Sequence, residues 1–122
     1  MAFRTVDGNL LRIKGNQKSL EICAVLEQDT AILQLTGSVT AELDHELADE
    51  ILAFVSTGKN VRLDLKNLEH ISNTFQRKLV EIQNEYIERS GVEMELFNVP
   101  AKLYERFKSG RLTTQLRIKR EE

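Results

Sequence analysis

The sequence contains one cysteine, two histidines and no tryptophan among its 122 residues. A single cysteine, Cys23, excludes an intrachain disulfide and every zinc or iron–sulfur site built from several thiolates. Its apolar neighbours, Ile22 and Ala24, predict a buried packing residue. No apolar run approaches the ~20 residues that span a bilayer, and the first residues contain no signal-peptide stretch. We therefore expect a soluble, cytoplasmic protein that is not inserted in a membrane.

Charge and aromatic content argue against a nucleic-acid partner. The 17 basic side chains are outnumbered by 19 acidic ones, and aromatic residues make up only 6% of the chain. A single-stranded nucleic acid needs basic grooves with aromatic stacking groups, which this composition does not favour. The stretch from Val99 to Arg120 carries seven basic residues against Glu105. It is either a solvated face or a surface that steers an acidic protein.

Catalytic motifs are scarce. The sequence has no glycine-rich phosphate loop, no G-x-S-x-G elbow and no H-E-x-x-H. His45 and Asp49 share a helix face and could offer two metal ligands, but no third ligand is indicated, and an exposed acidic helix explains both. His70 could polarise a hydroxyl or simply lie on the surface. We predict no catalytic residue, no metal and no cofactor.

Periodicity predicts two β-hairpins followed by alternating helices and strands. Asp7-Gly8 is typical of a tight turn and Gln28-Asp29-Thr30 of a second one. Three helices are expected. Thr40 caps the first, and the third extends over Pro100 to Ser109. The inward stripe of the second helix consists of Phe75, Leu79, Ile82 and Tyr86. The predicted strands are Ala2 to Val6, Leu10 to Ile13, Leu20 to Glu27, Ala31 to Gly37, Val61 to Leu65, Val92 to Phe97 and Gln115 to Ile118.

The element order, β-β-α-β-α-β-α after a short N-terminal hairpin, predicts an α/β domain with a mixed sheet. Two of the later strands carry charges at every second position, which is unlike a strand buried on both faces. Helices are therefore expected mainly on one face, with the other face wet or covered by the hairpin or by a partner. We divide the chain into an N-terminal extension, residues 1–19, and a domain, residues 20–122.

The segment Ile71-Ser72-Asn73-Thr74 interrupts the chain before the second helix with three small polar side chains. Such side chains accept hydrogen bonds from the free N–H groups at a helix start, so at least one should cap the helix. A hydroxyl there is also a favourable phosphorylation site, because a phosphate would meet the positive end of the helix dipole. The segment is the first candidate site.

The run from Leu63 to Phe75 resembles the strand–loop–helix segment of STAS domains, the bacterial anti-sigma factor antagonists, which typically ends in Asp-Ser-Ser/Thr-Gly-Leu. Leu35-Thr-Gly37, the strand from Gly91 to Phe97 and the stretch from Pro100 to Leu112 extend this resemblance. It implies a STAS-like fold and a role in transcription regulation and signalling. In that family the first serine of the motif is phosphorylated by a partner kinase, and only the unmodified form binds the partner.

This sequence departs from that motif at three of the four aligned positions and keeps the hydroxyl at the other. Ser72 stands in place of the aspartate, Asn73 of the phosphoacceptor serine, Thr74 of the second hydroxyl and Phe75 of the glycine. Because an amide cannot accept phosphate as a hydroxyl does, the serine switch is either missing or moved to Ser72 or Thr74. A loop that stays uncharged would resemble the binding-competent state at all times.

The sequence thus predicts a non-catalytic protein–protein interaction module whose partner is an anti-sigma factor or a related regulatory kinase. The expected contact surface comprises Ser72, Asn73, Thr74, Phe75, Arg77 and Lys78, with the acidic first helix beside it. The leading alternative is a STAS accessory subunit of a lipid or anion transport system, followed by a small-ligand sensor and, last, an enzyme. The oligomeric state, a homodimer included, is left open.

Overall fold

The computed structural model describes residues 3–121. Ala2, the first residue of the predicted strand Ala2 to Val6, lies outside the described residues, as do Met1 and Glu122, the terminal residues of the predicted extension and domain. The strands are β1 (Phe3–Asp7), β2 (Leu10–Lys14), β3 (Ser19–Glu27), β4 (Thr30–Val39), β5 (Asn60–Ile71), β6 (Met94–Val99) and β7 (Arg117–Arg120). The helices are α1 (Asp44–Ser56), α2 (Asn73–Ile82), a π-helical turn (Gln83–Ile87), α3 (Glu88–Ser90), α4 (Ala101–Ser109) and a 3-10 turn (Leu112–Thr114).

All seven strands form one mixed sheet in sequential order from β1 to β7. The strands from β1 to β4 pair antiparallel, and those from β4 to β7 pair parallel. Right-handed crossovers that step in one direction bring their helices to the same face of the sheet. Contacts between α1 and α2 agree with this arrangement. The α/β class, the mixed sheet and the N-terminal hairpin predicted from the sequence are confirmed.

The two hairpin turns lie close to their predicted positions. Asp7 pairs with Leu10, so Gly8 and Asn9 form the first turn, one residue later than predicted. Gly8 adopts a positive φ of 61°, which glycine tolerates without steric cost. Gln28 has a φ of 51° in the second turn. Both turns are two residues long, which fits tightly twisted antiparallel strands.

The core lies between the sheet and its helices and follows the alternation of the strands. Leu33, Leu63 and Leu96, on β4, β5 and β6, are at most 1% exposed. The residues that alternate with them along each strand point to the opposite face of the sheet, the open face. The hairpin extends the edge of the sheet and does not cover that open face. Cys23 lies half-buried on the open face and was wrongly predicted to be a core residue, because the inward position on β3 belongs to Ile22.

Charged pairs occupy the open face of the parallel strands. Arg62 on β5 donates to Glu95 on β6 at 3.0 Å, and its guanidinium lies 4.0 Å from the ring centre of Phe97. Partial burial acts to raise the pKa of Glu95, but the bond from Arg62 and the charge of Lys119 outweigh it and hold that pKa below its ordinary value. Of the alternating charges that indicated a wet face, Arg62, Glu93 and Glu95 form ion pairs with neighbouring strands, whereas Asp64 accepts a hydrogen bond from Asn98.

The helix after β5 departs from regular α geometry in its second half. Phe75, Leu79 and Ile82 face the core as predicted, but Tyr86 is 44% exposed and Ile87 takes the next inward position. A π-helical turn closes i→i+5 hydrogen bonds and so delays the inward stripe by one residue. The prediction of an inward Tyr86 was wrong for this reason.

Candidate functional site

Ser72 caps the helix α2, as the sequence predicted for one residue of this segment. Its backbone is extended, and its hydroxyl accepts a hydrogen bond from the Phe75 N–H at 3.0 Å. Thr40, in contrast, does not cap α1. Its carbonyl accepts from the Leu43 N–H in a preceding turn, and the helix begins at Asp44 without a side-chain cap.

Asp44 joins the starts of the two helices. Although it opens α1, the residue is buried, and its side chain is 5% exposed. One carboxylate oxygen accepts from the Thr74 hydroxyl at 2.5 Å and from the Ser72 hydroxyl at 3.5 Å, and the other accepts from the Lys78 ammonium at 3.1 Å. The two hydroxyls also lie 3.1 Å apart. Both candidate phosphorylation sites are thus hydrogen-bonded to a buried carboxylate.

Asn73 is the exposed member of the polar tripeptide, and α4 reaches it from the side. Arg106 donates to the Asn73 side-chain oxygen at 2.9 Å. The same guanidinium lies 3.4 Å from Nδ1 of His70, at the end of β5. Because arginine can only donate, this contact requires a neutral His70 whose Nδ1 accepts. The end of β5, the start of α2 and the middle of α4 therefore meet at Asn73.

Partial burial and the nearby charges of Arg106, Lys102 and Lys18 lower the pKa of His70 from its ordinary value of 6.5. A lowered folded-state pKa means that the unfolded chain takes up the proton first. His70 therefore lowers the free energy of unfolding as the pH falls below the pKa that His70 has in the unfolded chain. The site around Asn73 has a positive electrostatic environment.

Arg106→Gln should raise the pKa of His70, because it removes one of the cations that oppose protonation and leaves the burial unchanged. The measurement is an NMR titration of the two imidazoles, His45 and His70. Lys108→Gln is the control, because Lys108 is exposed and lies two residues after Arg106 on α4. An unchanged His70 titration in Arg106→Gln would show that the guanidinium does not set the potential there.

The six residues predicted as the partner surface differ in exposure. Asn73 and Arg77 are exposed, and Thr74 and Lys78 are half-buried. Ser72 is 7% exposed and Phe75 is completely buried in the core. The inward position that the helical stripe predicts for Phe75 is confirmed. Its side chain is therefore not exposed on the predicted surface, and a part for Phe75 in partner binding stays a prediction.

The N-terminal extension occupies the acidic side of α1. Arg4 on β1 donates to Glu46 at 2.8 Å and to Glu50 at 2.6 Å. The Asn16 N–H, in the β2–β3 loop, donates to Glu42 at 2.8 Å. The acidic first helix, which the sequence suggested as part of the partner surface, thus has much of its charge paired within the chain.

No group of three or more His, Cys, Asp or Glu side chains among residues 3–121 is arranged to hold a metal ion. His45 instead lies 3.6 Å from Glu46. In the same part of the chain, no helix is both long and apolar enough to span a membrane.

Residues 22–122 match the family model described as the STAS domain. The chain belongs to the STAS domain family. No curated protein sequence matches it. The matched residues of this STAS domain begin within β3, so the hairpin of β1 and β2 lies before the matched stretch.

Solved structures share the fold of this STAS domain at low sequence identity. A protein assigned as an anti-sigma factor antagonist from Thermotoga maritima has a TM-score of 0.69 and 19% identity, over 80% of this chain and 85% of its own. An anti-sigma factor antagonist from Mycobacterium paratuberculosis has a TM-score of 0.69 and 11% identity, over 82% and 85%. The murine anion transporter, solute carrier 26 family member A9, has a TM-score of 0.62 and 14% identity, over 77% of this chain and 16% of the transporter.

Proposed function

We propose that this STAS domain is a non-catalytic interaction module that binds an anti-sigma factor or a related regulatory kinase in the cytoplasm. The contact is centred on Asn73 and extends over the exposed start of α2 to Arg77. Binding does not depend on a serine phosphorylation switch. One observation carries the proposal: the exposed side chain of the polar tripeptide is an amide, while both neighbouring hydroxyls are bonded to Asp44.

A phosphoryl group on Ser72 or Thr74 would be strongly disfavoured in the folded chain. It carries roughly -1.5 to -2 charges at pH 7 and would replace the hydroxyl hydrogen that Ser72 or Thr74 now donates to the buried Asp44 carboxylate. The resulting repulsion would separate the starts of α1 and α2. We therefore assign the two hydroxyls a structural role and infer that the Asn73 surface is available for binding at all times.

The fold shared with an anion transporter favours one second candidate, an accessory domain of a transport system. Affinity capture from the native cell, followed by the intact mass of the recovered chain, distinguishes the two. An anti-sigma factor or kinase bound to unmodified chain is the expected result. A permease or transport ATPase would replace the proposal with the second candidate, and a phosphorylated chain bound to its partner would contradict the constitutive state.

Asn73→Asp should weaken binding of the captured partner about tenfold or more, or about 1.4 kcal/mol, because it places a negative charge in the centre of the contact. Isothermal titration calorimetry measures the dissociation constant. Asn84→Asp, also exposed but roughly 16 Å further along the same helical stretch, is the matched control. Equal affinities for both folded variants would place the interface elsewhere.

A further inference from the structure

A groove opens beside Asn73, between α2 and the turn that follows α4. Its volume is about 380 Å³, which is enough for one large side chain and its neighbours. Val80 and Leu112 contribute its apolar surface, and Asn73, Arg77 and Gln115 are polar lining residues. The groove thus combines an apolar interior with a polar rim next to the proposed contact.

The elements that form this groove carry an excess of positive charge, and Arg77 is the charged residue in its lining. Without Lys78, which is paired with Asp44, α2 and residues 100–115 carry five cations and two anions, Glu81 and Glu105. The cations are Arg77, Lys102, Arg106, Lys108 and Arg111. Within the described chain, neither Arg77 nor Arg111 forms an ion pair. An acidic occupant would therefore meet the unpaired charge of Arg77 in the lining and that of Arg111, which stands between the lining residues Gly110 and Leu112.

The turn that forms the second wall is held in a costly conformation. Arg111 has a φ of 62°, in the left-handed region that non-glycine residues rarely adopt. Its carbonyl accepts hydrogen bonds from the Thr114 hydroxyl at 2.9 Å and from the Gln115 amide at 3.2 Å. These bonds fix the turn, keep Leu112 buried beneath it and leave Arg111 exposed.

We propose that the groove receives an apolar side chain from an acidic segment of a partner protein, with carboxylates of that segment contacting Arg77 and Arg111. This inference rests on the proposed function and names the chemistry of the partner. A protein segment suits the site because the groove, at about 380 Å³, has room for one large side chain and its neighbours. A nucleic acid would need stacking groups, and none of the described residues that line the groove is aromatic.

The first test uses the peptide acetyl-Asp-Glu-Leu-Glu-Asp-amide as the probe and records amide NMR shifts of the ¹⁵N-labelled chain. We expect shifts at residues 73–80 and 110–115, and none from acetyl-Lys-Lys-Leu-Lys-Lys-amide. The double variant Arg77→Glu/Arg111→Glu should weaken the acidic peptide at least tenfold. Arg89→Glu, an exposed change on α3, should leave its affinity unchanged.

Three outcomes would overturn the inference: no shift at these residues with the acidic peptide, equal shifts with both peptides, or shifts caused only by phosphatidylglycerol vesicles. The captured partner separates this inference from the proposed function. If Asn73→Asp weakens that partner but Arg77→Glu/Arg111→Glu does not, the groove is not its contact, and the proposed contact at Asn73 stands without its Arg77 edge. If the peptide binds the groove but Asn73→Asp leaves the partner unaffected, the proposed function fails alone.

Discussion

Phe75→Ala is expected to lower the free energy of unfolding by about 3–5 kcal/mol, the range for truncating a buried phenylalanine. The Phe75 side chain is completely buried at the start of α2, in the core between the sheet and its helices. Its removal loses apolar burial and leaves a cavity that the surrounding residues fill only in part. Urea unfolding followed by circular dichroism measures the change.

Tyr86→Ala supplies the matched control for Phe75→Ala. Tyr86 lies on the same helical stretch but is 44% exposed, so its truncation should change the free energy of unfolding by about 0.5 kcal/mol or less. A Phe75→Ala variant as stable as the control, but unable to bind the partner, would restore Phe75 to the docking surface. If Phe75→Ala does not fold, Phe75→Leu should retain the fold at a smaller cost.

These two aromatic residues show where sequence periodicity succeeds and where it stops. Phe75, Leu79 and Ile82 recur at helical spacing and all face the core, as predicted from the sequence. Tyr86 continues the same spacing, but the π-helical turn shifts the inward position to Ile87. A period of 3.6 residues cannot reveal a local insertion, because the extra residue depends on packing against other elements.

The candidate site likewise has one part that the sequence predicts and another that depends on the fold. The capping role of the tripeptide was predictable, because it depends only on small polar side chains before a helix. The buried position of Asp44 was not, because its partners on α2 lie about thirty positions away in the sequence. Arg106 reaches Asn73 over a similar separation, so its place in the site also required the fold.

The N-terminal hairpin adds a further long-range effect. Arg4 pairs with Glu46 and Glu50, which were predicted only as members of an acidic helix. As a result, the side of α1 near the hairpin is largely neutralised, while the α2–α4 side keeps unpaired cations. The charge contrast therefore favours the α2–α4 side as the surface for an acidic partner.

Asp44→Ala is expected to lower the free energy of unfolding by about 2–4 kcal/mol. The substitution removes the shared acceptor of Thr74 and Lys78 and leaves their polar groups without it. Lys78 is 37% exposed and can regain water, which keeps the loss below that of a fully buried ion pair. Thermal and urea unfolding both report this effect.

Asp49→Ala is the matched control, because Asp49 is exposed on the same helix and should cost about 0.5 kcal/mol or less. A double-mutant cycle between Asp44→Ala and Thr74→Val should give a coupling of about 0.5–3 kcal/mol if the two side chains act together. Additive effects, or an Asp44→Ala variant as mild as the control, would contradict a stabilising role for the contacts of Asp44 with Thr74 and Lys78. The two hydroxyls would then be free of the carboxylate, and the argument against their phosphorylation would fail with it.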